Sequence, residues 1–373
     1  MNVLGKICED RENGFNFLRL VAATGILVAH CMLAVPVTNG SIEAVYAQFA
    51  LAADLLLAVF FVFSGFLITA SLERSQNLWR FAVARMLRIF PALIVVSLVL
   101  AFVLGPVVST LPLSAYFTDP NSWLYLFRSV VLLDAGAGLP GVFEHHPVAG
   151  AINLPIWTLR YEVVIYAVFP LLALMFINRS TRAKGAVLLI SLLLLLLMKS
   201  WFHAIESPGG WIHLVNFSSS FLIGCGLWVF RNHVPHHIAL VALLWTVFAL
   251  VSGPVLTYFV GVVAAGYSFI WLAFLNIRPL KAYSKAADYS YGTYVIHFPV
   301  AQFLYGLNPS LHPLELTLFT FALTLPLAAL CWAVVEKPAL ANVKRCSMGL
   351  QEFANSWSRS VASAFEPAGR PGR

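Results

Sequence analysis

Two ionisable residues stand inside one apolar run. The stretch NFLRLVAATGILVAH, Asn16 to His30, has the composition of a membrane helix, yet it carries a guanidinium near its start and an imidazole at its end. Ionisable groups are expensive in hydrocarbon, so inside spans they usually face a bundle interior or a water-filled path. Arg19 and His30 are eleven residues apart, about three turns at 3.6 residues per turn, which puts them on one face. Asn16, three residues before Arg19, joins that face. At 1.5 Å per residue His30 lies roughly 21 Å from Asn16, past the middle of a bilayer core about 30 Å thick. An imidazole there can serve as a general base or accept an acyl group as a nucleophile. Plainer roles fit the same residues: Arg19 as an interfacial anchor, His30 as a hydrogen-bonded packing group.

Four further blocks carry polar groups at helical spacing. In WTLRYEVVIYAVFP, residues 157–170, Glu162 and Tyr166 share a face at i, i+4, with Trp157 and Tyr161 near an interface. The depth of Glu162 matches that of His30, so the carboxylate is expected to orient or charge the imidazole; pairing with Arg160 or another helix is the alternative. In FFVFSGFLI, residues 60–68, Ser64-Gly65 permits close backbone approach by a helix or a ligand. In LWRFAVARMLRIFP, residues 78–91, Arg85 and Arg88 lie at i, i+3 at the expected inner surface of the membrane. Two guanidiniums on one face suit a phosphate, although an ordinary basic loop has the same look. In SYGTYVIHFPV, residues 290–300, Ser290, Tyr294 and His297 form a stripe at i, i+4, i+7. Trp157, Tyr161, Tyr166, Tyr294 and His297 are expected to line the cavity, His297 in a structural or lining role rather than a catalytic one. The pairs His145-His146 and His236-His237 have no acidic partners at ligand spacing, so no metal site is expected.

These residues need a scaffold, and composition says which. The chain is 60% hydrophobic and 10% charged, with a mean hydropathy of +0.84, where soluble domains are about half apolar and a quarter charged. The reading is an all-α polytopic membrane protein of about ten spans, near 16–36, 48–70, 86–104, 157–177, 186–203, 211–230, 238–252, 255–275, 289–307 and 314–335. With both termini cytoplasmic, 20 of the 23 Lys and Arg fall on the inner side, and only Arg128, Arg160 and Lys199 toward the outer one. That scatter over short loops argues against a nucleic-acid partner; the lipid bilayer is the expected one. The first span is too long for a signal-peptide core and reads as a retained helix. The five cysteines form no CxxC pair and no disulfide framework is expected. Residues 1–346 read as one membrane domain with a long outer loop at about 105–156, and 347–373 as a disordered cytoplasmic tail.

Together the five blocks resemble the acyltransferase-3 family of bacterial membrane O-acyltransferases. RLVAATGILVAH, FFVFSGFLI, RMLRIFP, WTLRYE and SYGTYVIHFP occur in the family's order from residue 16 to about 300. The resemblance implies a multi-pass protein of the bacterial inner membrane. It implies acetyl-CoA or another acyl-CoA as donor and co-substrate, and a glycan or glycolipid acceptor such as an exopolysaccharide, an O-antigen or a Nod factor. It also implies His30 as the leading catalytic residue, Glu162 as the helix-four acid, and Arg85 with Arg88 as the paired arginines; joined to the polar stripe of the first helix, the expected picture has Arg85 and Arg88, with Arg19, hold the donor's phosphates while its arm passes Ser64-Gly65. One departure stands out: Val59 precedes the FFV block where many members have an acid, and the nearest acid is Asp54. A transporter or flippase with the same residues along a path is the competing class; the chain shows no repeat symmetry of the transporter kind.

Overall fold

The computed structural model describes residues 3–8, 12–35, 40–75, 77–132, 138–176, 179–205 and 209–364. Over these residues the chain is helical, and helices stand at all ten places where the apolar runs put them. We label them α1 (Phe15–Leu33), α2 (Gly40–Ser75), α3 (Leu78–Val99), α4 (Leu159–Phe176), α5 (Thr181–Ala204), α6 (Gly209–Val229), α7 (Ile238–Leu250), α8 (Pro254–Ala273), α9 (Ser290–Leu307) and α10 (Pro313–Cys331). Among the described residues eight helices are long and apolar enough to cross a membrane. The two outside that count differ for opposite reasons. Helix α7 is apolar but has only 13 residues, about 20 Å. Helix α9 has 18 residues but mixes in Ser, Gly, Thr, Tyr, His and Gln.

That mixture marks α9 as the interior helix. Ser290, Tyr291, Thr293, Tyr294, His297 and Gln302 are all buried in it. A polar helix is tolerated at membrane depth only where its groups are satisfied by protein. Helix α9 packs against α1 and α10, and the loop before α4 supplies hydrogen bonds from its other side. Pro299 has no N–H, which leaves the Val295 carbonyl without its helical partner; Asn153 Nδ2 donates to it at 2.9 Å. Gln302 Nε2 donates to the carbonyls of Val148 and Ala151, both at 3.0 Å.

Helix α2 packs most extensively against α6. The contact rests on two glycines. A Cβ on Gly65 would meet the Phe221 carbonyl at 2.0 Å, and one on Gly224 would meet the Val62 carbonyl at 2.0 Å. Small residues let helix backbones approach this closely in membranes. Gly65 is therefore a helix-packing residue and not part of a donor path.

Three expectations shift. Helix α3 begins at Leu78, eight residues before the expected start. Pro91 sits inside it, so the whole RMLRIFP block lies within the helix. The region 105–156 is not a bare loop: it carries helices Leu113–Thr118 and Pro120–Val130. The tail expected without structure from 347 continues as α11 (Val343–Ala364), which packs on α3. Its Ser/Ala-rich composition concealed a helical period. Val343, Ser347 and Ala354 form its covered face, while Phe353 and Trp357 point outward. Helix α10 reaches α11 through a π-helical segment, Trp332–Glu336, and the short helix Lys337–Ala341.

Candidate functional site

Polar residues from α1, α2, α3, α4 and α9 converge on one cavity of about 80 Å³. Its lining includes Arg19, Ser64, Arg85, Arg88, Glu162, Tyr166 and Tyr294. Residues from all five sequence blocks thus meet in one place, although they are scattered along the chain from Arg19 to Tyr294.

The two arginines of α3 behave differently there. Arg88 is clamped between two carboxylates: its Nη2 lies 2.7 Å from Asp288 Oδ2 and its Nη1 2.9 Å from Glu336 Oε2. The planar fork of a guanidinium suits two acceptors held in fixed directions. Asp288 also faces Arg19, at 3.5 Å, and accepts from the Ser290 hydroxyl at 2.5 Å. It stands in the turn before α9. Burial there works against its ionisation, but Arg88, Arg19 and Ser290 outweigh that and hold the carboxyl below its ordinary value. Arg85 has no salt bridge among the described residues. Its guanidinium lies 5.8 Å from the Tyr166 ring centroid, and its buried Nε lacks a hydrogen-bond partner. Arg85 is therefore the guanidinium with capacity left for an anionic ligand, while Arg88 is already satisfied by protein carboxylates.

A hydrogen-bonded chain runs along the other wall. The Tyr166 hydroxyl donates to Glu162 Oε1 at 2.5 Å. A phenol has one proton, so Ser64, whose Oγ is 3.1 Å from the same oxygen, donates to it. The i, i+4 spacing of Glu162 and Tyr166 is realised as this bond.

Beyond the cavity stands the histidine. Tyr294 lines the cavity, and its ring centroid is 6.2 Å from that of His297 on the next turn of α9. His297 Nε2 is 2.8 Å from His30 Nδ1, with the rings inclined by 16°. The partner of His30 is thus His297, whereas Glu162 accepts its hydrogen bond from Tyr166. The expected Glu162–His30 contact is corrected on that ground. The lining is corrected too. His297 pairs with His30 and does not line the cavity. Trp157 and Tyr161 pack on α6, with Trp157 4.6 Å from the His213 ring and Tyr161 5.5 Å from the Phe217 ring. The Tyr161 hydroxyl accepts from Arg160 at 2.7 Å. Tyr166 and Tyr294 stand at the cavity wall, Ser64 stands there beside them, and Asp54 lies outside it.

Asp288, Glu336 and Thr158 escaped the sequence reading. Each had a signal. Glu336 is a single carboxylate at the end of an apolar run, and Asp288 closely precedes the Ser290-Tyr291 block. Thr158 belongs to the WTLRYE block, and its hydroxyl is 2.7 Å from the Tyr294 hydroxyl, joining two blocks directly.

Comparison with known proteins gives the family. The family model described as an acyltransferase domain, Acyl_transf_3, matches residues 12–335. Nodulation protein 10 of Rhizobium leguminosarum bv. viciae is 27% identical over 386 residues, covering 89% of this chain and 94% of that protein. An O-acetyl transferase of Shigella phage Sf6 is 25% identical over 344 residues, covering 89% and 97% respectively. No solved structure matches the chain.

Proposed function

Since the chain belongs to the acyltransferase-3 family and is a multi-pass membrane acyltransferase, we propose that it moves an acetyl group from cytoplasmic acetyl-CoA to a hydroxyl of a glycan or glycolipid. The proposed setting is the bacterial inner membrane. The observation that supports this best is the cavity itself, with one guanidinium uncommitted at Arg85 and, past its Tyr294 wall, His297 hydrogen-bonded to His30. The acetyl-transferring phage relative supports acetyl as the group moved.

In this reading Arg85 takes a phosphate of the donor. Arg88 holds Asp288 and Glu336 in place and shapes the wall instead of binding the donor. Arg19 shares Asp288 and contributes positive potential. The chain Ser64–Tyr166–Glu162 fixes the opposite wall and offers polar contacts to the donor's pantetheine amides. The thioester meets the acceptor hydroxyl at His30, which takes the hydroxyl proton as general base. The oxygen attacks the thioester carbon, and CoA leaves as its thiolate.

The test uses the full chain in phospholipid vesicles with radiolabelled acetyl-CoA and a glycolipid extract as acceptor. Acetyl-CoA-dependent label in the glycan fraction is expected. His30→Ala should lower it by about 10²–10⁴-fold, the usual worth of a general base. Full transfer by a stably inserted His30→Ala protein would remove His30 from the chemistry.

A further inference from the structure

The imidazole of His297 is fully buried, and both of its nitrogens have partners. Nδ1 lies 3.0 Å from the Thr293 carbonyl, one turn back on α9. A carbonyl only accepts, so Nδ1 carries the proton and, in the neutral ring, Nε2 carries the lone pair. That lone pair sits 2.8 Å from Nδ1 of His30. His30 must therefore donate from Nδ1, and a neutral His30 keeps its own lone pair on Nε2.

From this directed chain, Thr293 C=O to His297 to His30, we propose that His297 is the positioning residue of the reaction: it fixes the tautomer and ring plane of His30 so that Nε2 faces the acceptor hydroxyl as the base. The inference rests on His30 acting as the base. It replaces the carboxylate that usually orients a catalytic histidine with a neutral imidazole.

Two physical arguments support that substitution. The reversed hydrogen bond would turn the Nδ1 lone pair of His297 toward the Thr293 carbonyl oxygen at 3.0 Å, a repulsive contact of two acceptors. A carboxylate in place of His297 would add a net charge at membrane depth, which is expensive, while an imidazole acceptor gives the same control over the tautomer without one. When His30 Nε2 takes the hydroxyl proton, its Nδ1–H becomes a donor on a cation, and the bond to His297 strengthens as a charge-assisted one. The acceptor is thus more stabilising in the transition state than in the resting enzyme, which is what catalysis requires.

The surroundings keep His297 where this needs it. Asn153 holds the Val295 carbonyl, and Gln302 ties α9 to the loop before α4 at two further carbonyls. The Phe298 ring meets His30 edge-on at 5.5 Å.

The experiment combines variants with a spectroscopic readout on the full chain in phospholipid vesicles, again with acetyl-CoA and the glycolipid extract. A glutamine at 297 places Oε1 near the position of Nε2 and still accepts from His30. His297→Phe should lower kcat by about a hundredfold or more with little change in the KM for acetyl-CoA. His297→Gln should recover to within about tenfold of the native rate. Solid-state NMR of the ¹⁵N-histidine-labelled native protein should show His30 protonated at Nδ1 and bare at Nε2. A His30 signal protonated at Nε2 overturns the proposal, as does a His297→Phe protein of native kcat. Glutamine as deficient as phenylalanine in stably inserted protein also overturns it, because position alone would then not explain the role. Failure of the base assignment reads out separately. A fully active His30→Ala protein removes the catalytic role of both histidines, whatever the NMR shows.

Discussion

The cavity and the histidine pair are neighbours on α9, yet they are held by opposite means. Around the cavity, three guanidiniums, Arg19, Arg85 and Arg88, stand among the carboxylates of Asp288, Glu336 and Glu162. One turn away, His30 and His297 are tied by neutral hydrogen bonds alone, with the Thr293 carbonyl as anchor. The difference fits the roles proposed for the two regions. A phosphate-bearing donor needs positive charge, and positive charge at membrane depth needs carboxylates to keep it there. A proton acceptor needs an available lone pair, which a nearby guanidinium would suppress. Separating the two regions by the Tyr294 ring lets both conditions hold in one bundle.

The sharpest way to break this contrast is Arg88→Ala. It strips Asp288 and Glu336 of their shared partner, and Glu336 is 1% exposed. Removing one side of a buried ion pair typically costs about 3–5 kcal/mol, so a large loss of folded protein is expected in thermal unfolding of detergent-solubilised protein. Arg88→Lys should not restore it, since one ammonium cannot replace two guanidinium nitrogens aimed at different carboxylates. Arg88→Ala combined with Glu336→Gln should regain part of the loss, because less uncompensated charge remains. An Arg88→Ala protein as stable as the native one would show that the cavity is not held by charge pairing.

Arg85→Ala tests the other half of the same helix turn. No carboxylate among the described residues loses a partner, so unfolding should shift little. The KM for acetyl-CoA should rise by roughly ten- to a hundredfold, matching the ~1.5–3 kcal/mol of a hydrogen bond to a charged group. Equal effects of Arg85→Ala and Arg88→Ala on both stability and KM would erase the distinction drawn between them.

That distinction was not legible in the sequence, where Arg85 and Arg88 form one motif on one face. The sequence does show which residues are out of place. A histidine, an acid or an arginine in an apolar run is conspicuous, and the five blocks identified that way supply the cavity and the histidine pair. It does not show which partner each one takes. Glu162 and His30 looked matched in depth, but Tyr166 was only four residues from Glu162 on the same face and took the bond. The sequence puts the start of a span near residue 86, between Arg85 and Arg88; the helix instead begins at Leu78 and runs through both. Gly65 gave no sign of whether a helix or a ligand would come close, and α6 does. Trp157 and Tyr161 share a block with Glu162 yet face α6. Each of these outcomes depends on which helix lies beside which, and periodicity within one helix carries no information about that.

The smallest expected effect belongs to the histidine region and tests whether it is held without charge. Asn153 is distant in sequence from His297, and its hydrogen bond goes to backbone, not to either histidine ring. Its role is to satisfy the carbonyl that Pro299 leaves free, two residues before His297. Asn153→Ala should cost about 1–3 kcal/mol, the penalty of an unsatisfied buried acceptor, well below the loss from Arg88→Ala. Because the freed carbonyl lies within the turn that carries His297, kcat should fall several-fold while the KM for acetyl-CoA, set in the charged cavity, stays near its native value. Asn153→Asp should do worse than Asn153→Ala. An ionised carboxylate there has no N–H to offer the Val295 carbonyl and brings a charge into the region that is otherwise free of one. If Asn153→Asp were tolerated as well as Asn153→Ala, the separation between a charged cavity and a neutral histidine pair would lose its physical basis.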